Sequence, residues 1–188
     1  MIVENVLYDA ANLIQSASLF EELESSTLPT SKTADSNILI NCLNVVLNDI
    51  STNYFEIKKF YENNFTNKVK ISNIIGDFEL KEIIAVYDLT GAEINYNITN
   101  GYIVTDRNGF KMEYTVFPIV VKKKTDEINF WDNKNLRSFI IAQGVVAEFY
   151  LIKGCFEESQ IWDQKFKNSM HGLIQPRREI KMPVRRWE

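Results

Sequence analysis

A chain of 188 residues with 45% apolar and 24% charged side chains and a formal net charge of −4 has the make-up of one soluble globular domain, with room for an appendage. Two cysteines, Cys42 and Cys155, exclude a disulfide framework; small buried thiols in a reducing compartment are expected. The longest strongly apolar stretch, FIIAQGVVAEFYLI, has 14 residues including Gln143 and Glu148, short of the about 20 a bilayer span needs, so no membrane partner is expected.

The opening MIVENVLYDAANLIQ has no basic n-region and carries Glu4 and Asp9, unlike a secretory signal. Helical spacing of Val6, Leu7, Ala10, Leu13, Ile14 and Ala17 predicts one helix over residues 2–23. A Ser/Thr-rich connector, 25–36, leads to a second helix capped by Asp35 or Ser36. Its apolar positions are Ile38, Leu39, Leu43, Val46, Leu47 and Ile50, with Asn41, Asn44 and Asn48 toward the other side. Helical structure is assigned over 2–60 as a whole.

The period then shortens. KVKIS (68–72), KEIIAVYD (81–88), EINYNI (93–98), GYIVTD (101–106) and FKMEYTVFP (110–118) are short β-type runs, and Ile94, Tyr96 and Ile98 alternate with Asn95 and Asn97 as Met112, Tyr114 and Val116 do with Lys111, Glu113 and Thr115. They are punctuated by Gly76-Asp77, Thr90-Gly91, Asn100-Gly101 and Asn108-Gly109. Asn-Gly between such runs favours a hairpin, because both residues tolerate positive φ. A small antiparallel sheet over 67–118 is expected.

Asp132 or Asn133 then caps a helix that is apolar on nearly every face, which needs cover from a bundle or a neighbouring subunit. Phe139, Ile140, Val145 and Phe149 on it, with Trp162 on the next helix, are the expected subunit-packing residues. After Gly154 a last helix over Phe156–Gly172 places Ile161, Trp162, Phe166 and Met170 on one face. Lys153–Glu157 and Asp163–Lys167 sit four apart.

Chemistry is sparse. His171 is the one histidine, and no His-x-x-x-His, Cys-x-x-Cys, phosphate loop or GxGxxG occurs. His171 reads as a residue favoured by a helix C-terminus. Glu157 and Glu158 diverge by about 100° on a helix. Glu148 is expected to form a buried ion pair, with Arg137 or across a subunit interface. No catalytic residue, metal or cofactor is expected, and the chain is read as a non-enzyme.

Charge is segregated along the sequence. Residues 177–188 hold five of the Lys and Arg and two of the Asp and Glu, net +3. The remainder has 16 against 23, net −7. The strip QPRREIKMPVRRWE alternates Ile180, Met182 and Val184, carries Arg177, Arg178, Lys181, Arg185 and Arg186, and is stiffened by Pro183. Trp187 suits another protein's pocket. Such a strip can add to a sheet edge and is drawn to acidic surfaces, including copies of its own body.

Two segments carry a resemblance. Gly144, Ala147, Glu148, Tyr150, Gly154, Glu157, Glu158, Trp162, Asp163, Phe166 and Lys167, followed by Pro183, Arg185, Arg186 and Trp187, resemble a helix pair and basic strip found in proteins of tailed bacteriophages. Cys42, Asn44, Val46, Ile50 and Tyr54 match an earlier helix of the same proteins. The element order is similar to the tail tubular protein A-like head-to-tail adaptors of short-tailed phages. The resemblance implies an α+β fold: an antiparallel bundle of N- and C-terminal helices (2–60 and 133–172) with a β insertion (67–118), forming one domain over 1–172. An extended basic arm, 173–188, follows. It further implies a virion structural protein at the head–tail junction, assembled as a dodecameric ring. The arm docks on the portal protein, other faces meet the tail nozzle or other tail proteins, and genomic DNA passes through the lumen in passive contact. The alternatives are a nucleic-acid binder using the strip, and another tail-completion or stopper protein.

Overall fold

The computed structural model describes residues 1–25, 31, 34–128 and 135–174. Its spine is α3 (Asp35–Asn53), whose Leu39, Leu43, Val46, Leu47 and Ile50 are all buried. Neither expected cap operates there. Ala34 is the N-cap, and the Glu22 carboxylate accepts the Ser36 N–H at 2.9 Å. Borrowing a carboxylate from a preceding helix satisfies an orphan amide and suits the positive end of the helix dipole. Asp35 is left to accept from Lys153 Nζ at 2.5 Å, so Lys153 does not make the expected pair with Glu157.

The single helix expected over 2–23 is two, α1 (Val3–Ile14) and α2 (Ala17–Glu24), separated by Gln15 in the left-handed region at φ 58. That conformation costs about 1–2 kcal/mol. The bend folds α2 back so that Leu19 and Leu23 are fully buried, each contributing about 1.5–3 kcal/mol. The rings of Tyr8 and Phe20 stack across it at 6.4 Å.

The C-terminal pair is α5 (Ser138–Ile152) and α6 (Phe156–Ile174). The first of these starts after Arg137, later than a cap at Asp132 or Asn133 would place it; those two residues and Trp131 lie outside the described ones. α5 packs on α1, α3 and α6, so most of its apolar surface is covered within the chain. Gly144 lets the three helices meet closely, since a Cβ there would stand 2.9 Å from Val46 Cγ1 and 3.2 Å from Phe166 Cδ2. On α6 the inward positions are Ser159, Phe166 and Met170. Ile161 is exposed instead, because two residues from Ser159 it points about 160° away. The Asp163–Lys167 pair forms at 2.7 Å.

Between α3 and α5 the chain builds a second apolar core. Its elements are β1 (Ile57–Asn63), β2 (Lys68–Lys70), α4 (Ile71–Ile75), β3 (Glu79–Tyr87), β4 (Tyr96–Thr99), β5 (Tyr102–Thr105) and β6 (Phe110–Phe117). They form two three-stranded antiparallel sheets, ordered β1-β6-β3 and β2-β5-β4. The fold is thus mixed α+β, with six helices and two small antiparallel sheets among the described residues. Ile57, Val86, Ile103, Phe110, Met112 and Val116 fill the space between the strands, and the Tyr114 hydroxyl donates to the Ile74 carbonyl at 3.1 Å. Asn100 and Gly101, at φ 53 and 77, turn β4 into β5 as expected of Asn-Gly. Asn108-Gly109 makes no hairpin, because β6 pairs with β1 and β3 and leaves β5 aside. Two further elements depart from expectation. Residues 57–60 are strand where helix was assigned, and the 68–72 run is a three-residue strand followed by α4.

Asp88 braces the turn after β3. Its buried carboxylate accepts from the Thr90 hydroxyl, the Ala92 and Thr90 amides and Arg107. The Thr90 hydroxyl first, and the Ala92 amide next, hold its pKa below the ordinary carboxylate value.

From β6 the chain returns to the helices through residues 118–128. The Asn44 side chain clasps this segment, donating to the Val121 carbonyl at 2.9 Å and accepting the Val121 N–H at 2.8 Å. Further along, Ile2 bridges Glu127, Val3 N–H donates to the Asp126 carbonyl at 3.0 Å, and Lys124 Nζ reaches the carbonyls of Leu23 and Ser25. The polar side chain at position 44 therefore joins the two halves.

Candidate functional site

The expected subunit-packing residues divide. Val145 is fully buried and Phe149 is 4% exposed, both within the chain's own helical core. Their burial is complete without a second copy, which corrects their assignment to a subunit interface. Ile140 is half-buried against the same core. Trp162 is half-buried with the Lys165 ammonium 3.9 Å above its ring. Phe139, at 48% exposed, is the one member of the set that offers a large apolar face outward. Arg177, Arg178, Ile180, Lys181, Met182, Pro183, Val184, Arg185, Arg186 and Trp187 lie outside the described residues.

Surface that the sequence did not single out is more informative. Leu151, Ile152 and Phe156 are exposed where α5 turns into α6, beside the exposed Cys155. Cys155 was expected buried. It lies at the start of the turn's second helix, outside the core. Elsewhere, a cleft of about 440 Å³ opens between α3 and the end of β6, lined by Val45, Asn48, Glu79, Phe117, Ile119 and Val120 among others. Val45 and Val120 are 52% and 61% exposed. Asn48 and Glu79 are exposed, and among the described residues neither side chain has a hydrogen-bond or ion-pair partner. The sequence signal for this cleft is a run of three β-branched residues, Ile119, Val120 and Val121, placed after Pro118, without the periodicity that marks a core face.

Among the described residues the titratable groups make no reactive centre. Cys42 is buried, and burial first, with the Glu148 charge second, pushes its thiol up to about 12; it stays a neutral thiol at neutral pH. Glu148 is half-buried and has no ion pair among the described residues. The expected partner Arg137 lies eleven residues away on one helix, a separation of about 16 Å. Burial raises the Glu148 pKa, and the nearby carboxylates of Asp163 and Asp49 raise it further. His171 is exposed near the end of α6, its ring edge-on to Tyr54 at 6.0 Å. Among the described residues no group of three or more His, Cys, Asp or Glu is placed to hold a metal ion. No helix among them is long and apolar enough to cross a membrane.

Glu148 yields a prediction with an unusual sign. A carboxyl whose folded pKa is raised binds its proton more tightly in the native state than when unfolded. The contribution of Glu148 to native stability is then greatest at low pH and is lost as pH rises through the raised value. Glu148→Gln is therefore expected to raise the urea midpoint at pH 7. The gain should shrink as pH falls toward the ordinary value of 4.5. A variant less stable than the parent at pH 7 would mean that a partner satisfies the charge.

No protein-family model matches the chain, and no curated protein matches it in sequence.

Proposed function

We propose that the chain is a structural subunit of a bacteriophage head–tail junction, an adaptor that joins the portal to the tail as one member of a ring. In this reading the helices form an antiparallel bundle, the β-rich part is an insertion, and residues 173–188 are an extended arm docking on the portal. The observation that supports it most is the pairing of an unreactive interior with outward apolar surface at three separate places. These are Phe139, the α5–α6 turn at Leu151, Ile152 and Phe156, and the cleft beside α3. A subunit with neighbours on several sides needs such surfaces, and catalysis needs none of them. The basic strip adds a charged, aromatic-tipped segment suited to a larger partner, and many weak arms acting together bind with high avidity.

The test is native mass spectrometry of the full chain with the portal protein encoded in the same genome. The parent is expected to add in fixed multiples. A variant carrying Arg177→Glu, Arg178→Glu, Arg185→Glu and Arg186→Glu should bind at least tenfold more weakly, since each charge-assisted contact contributes about 1.5–3 kcal/mol. Failure of the parent to bind would remove the adaptor reading. DNA affinity that falls steeply with salt and is lost in the same variant would favour the nucleic-acid reading.

A further inference from the structure

We infer that the cleft between α3 and the end of β6 is the seat for residues 178–186 of a second copy of this chain. The inference rests on the ring reading for the identity of the acceptor; the two placements of the strip exclude each other, and the neighbour's cleft holds it where no portal is present. Three features of the cleft fit that occupant.

The first is the floor. Val45, Phe117, Ile119 and Val120 present apolar surface in a groove of about 440 Å³. In an extended segment Ile180, Met182 and Val184 fall on one side, so three apolar side chains can enter together while Lys181 and Arg185 face away, and Arg178 and Arg186, on the apolar side, lie at its two ends. The second is charge. Glu79 stands in the wall and Glu82 follows on the same strand, both exposed and without ion pairs among the described residues. The incoming segment carries Arg178, Lys181, Arg185 and Arg186 against Glu179 alone. The third is the amide of Asn48. One turn back on α3, Asn44 holds the backbone of Val121 through paired hydrogen bonds. Asn48 presents the same group to the open cleft, where a passing extended backbone could take both its donor and its acceptor.

Geometry makes the occupant a second copy. The α6 side of α3 is marked by Val46, which together with Phe166 of α6 crowds the Gly144 position. Asn44 and Asn48 are each two residues from Val46 and so point about 160° away from it. The cleft and the helix that leads into the strip thus lie on opposite flanks of α3. In a head-to-tail row, the strip of one subunit begins beside the cleft of the next. The three residues 175–177 that lead into the seated segment span only about 10 Å when extended, less than the ~30 Å width of three packed helices, so the strip cannot cross to the cleft of its own chain. A contact between two different surfaces repeats around a ring or along a filament.

Sedimentation velocity of the full chain, at concentrations up to about 100 µM, tests this with a mixing design. The parent should self-associate. Val45→Asp and Asn48→Ala, both at exposed positions, should weaken association, by more than tenfold for the aspartate and about tenfold for the lost amide. The strip variant Ile180→Asp with Val184→Asp should be equally impaired. Mixing Val45→Asp chains with strip-variant chains leaves one intact strip and one intact cleft per pair, so a 1:1 dimer that grows no further is expected. A monomeric parent, a Val45→Asp chain that associates like the parent, or a mixture that stays monomeric would overturn the inference. Portal capture by a monomeric parent would overturn it too and leave the adaptor reading standing.

Discussion

Asn44→Ala is expected to lower the unfolding free energy by about 2–4 kcal/mol. Val121 is 4% exposed, and its N–H and carbonyl both depend on the Asn44 amide. Deleting the amide leaves two buried backbone groups unmatched, each costing about 1–3 kcal/mol. The alanine itself is a better helix former than asparagine, but by only about half a kilocalorie per mole, so the lost clasp decides the sign. Asn44→Asp separates the two bonds. It keeps an acceptor for the Val121 N–H and turns a second oxygen on the Val121 carbonyl, so at neutral pH it should be no better than alanine. Asn48→Ala, one turn on and exposed, should stay within about 0.5 kcal/mol of the parent. With a urea slope of about 2 kcal/mol/M, Asn44→Ala moves the midpoint by about 1–2 M. Hydrogen exchange at the Val121 amide should accelerate in step. An unmoved midpoint would mean that the return segment is held by its contacts with the N-terminal helices, at Ile2–Glu127, Val3–Asp126 and Lys124.

The same residue shows why only part of this fold is legible in the sequence. Long periodic stretches declare themselves, so the helices around Leu39–Ile50 and Phe139–Leu151 and the Asn100-Gly101 hairpin sit where the spacing puts them. Asn44 looks like one more solvated position on the polar side of a helix, because its partner lies 77 residues away. Strand β1 is hidden for a different reason. Its inward-facing side includes Lys59, whose ammonium lies 4.9 Å from the Phe78 ring centroid, and its outward side includes Phe60, 76% exposed. Snorkelling and cation–π contact let a lysine occupy an inward position, which inverts the alternation that marks a strand. The cleft beside α3 is invisible for a third reason, since it exists only where a helix and the exit of a strand come together.

Gly144 is the second position where a large effect is expected, and there two physical effects oppose each other. Glycine inside a helix costs about 1 kcal/mol relative to alanine, so Gly144→Ala would stabilise a solvent-facing helix. Here the added methyl would stand 2.9 Å from Val46 Cγ1 and 3.2 Å from both Val46 Cγ2 and Phe166 Cδ2. Val46 is β-branched and holds one rotamer in a helix, and Phe166 is 3% exposed, so neither yields without moving α3 or α6. Overpacking of this kind costs about 1–3 kcal/mol. The net expectation is a loss of about 1 kcal/mol for alanine and more than about 3 kcal/mol for leucine, read as urea midpoints. A double-mutant cycle supplies the decisive arm. In the Val46→Ala background the new methyl has space, so Gly144→Ala should cost less than in the parent, with a coupling of about 1 kcal/mol. A Gly144→Ala chain more stable than the parent by about 1 kcal/mol would show backbone preference acting alone, and with it a looser α3–α5–α6 junction than the one described.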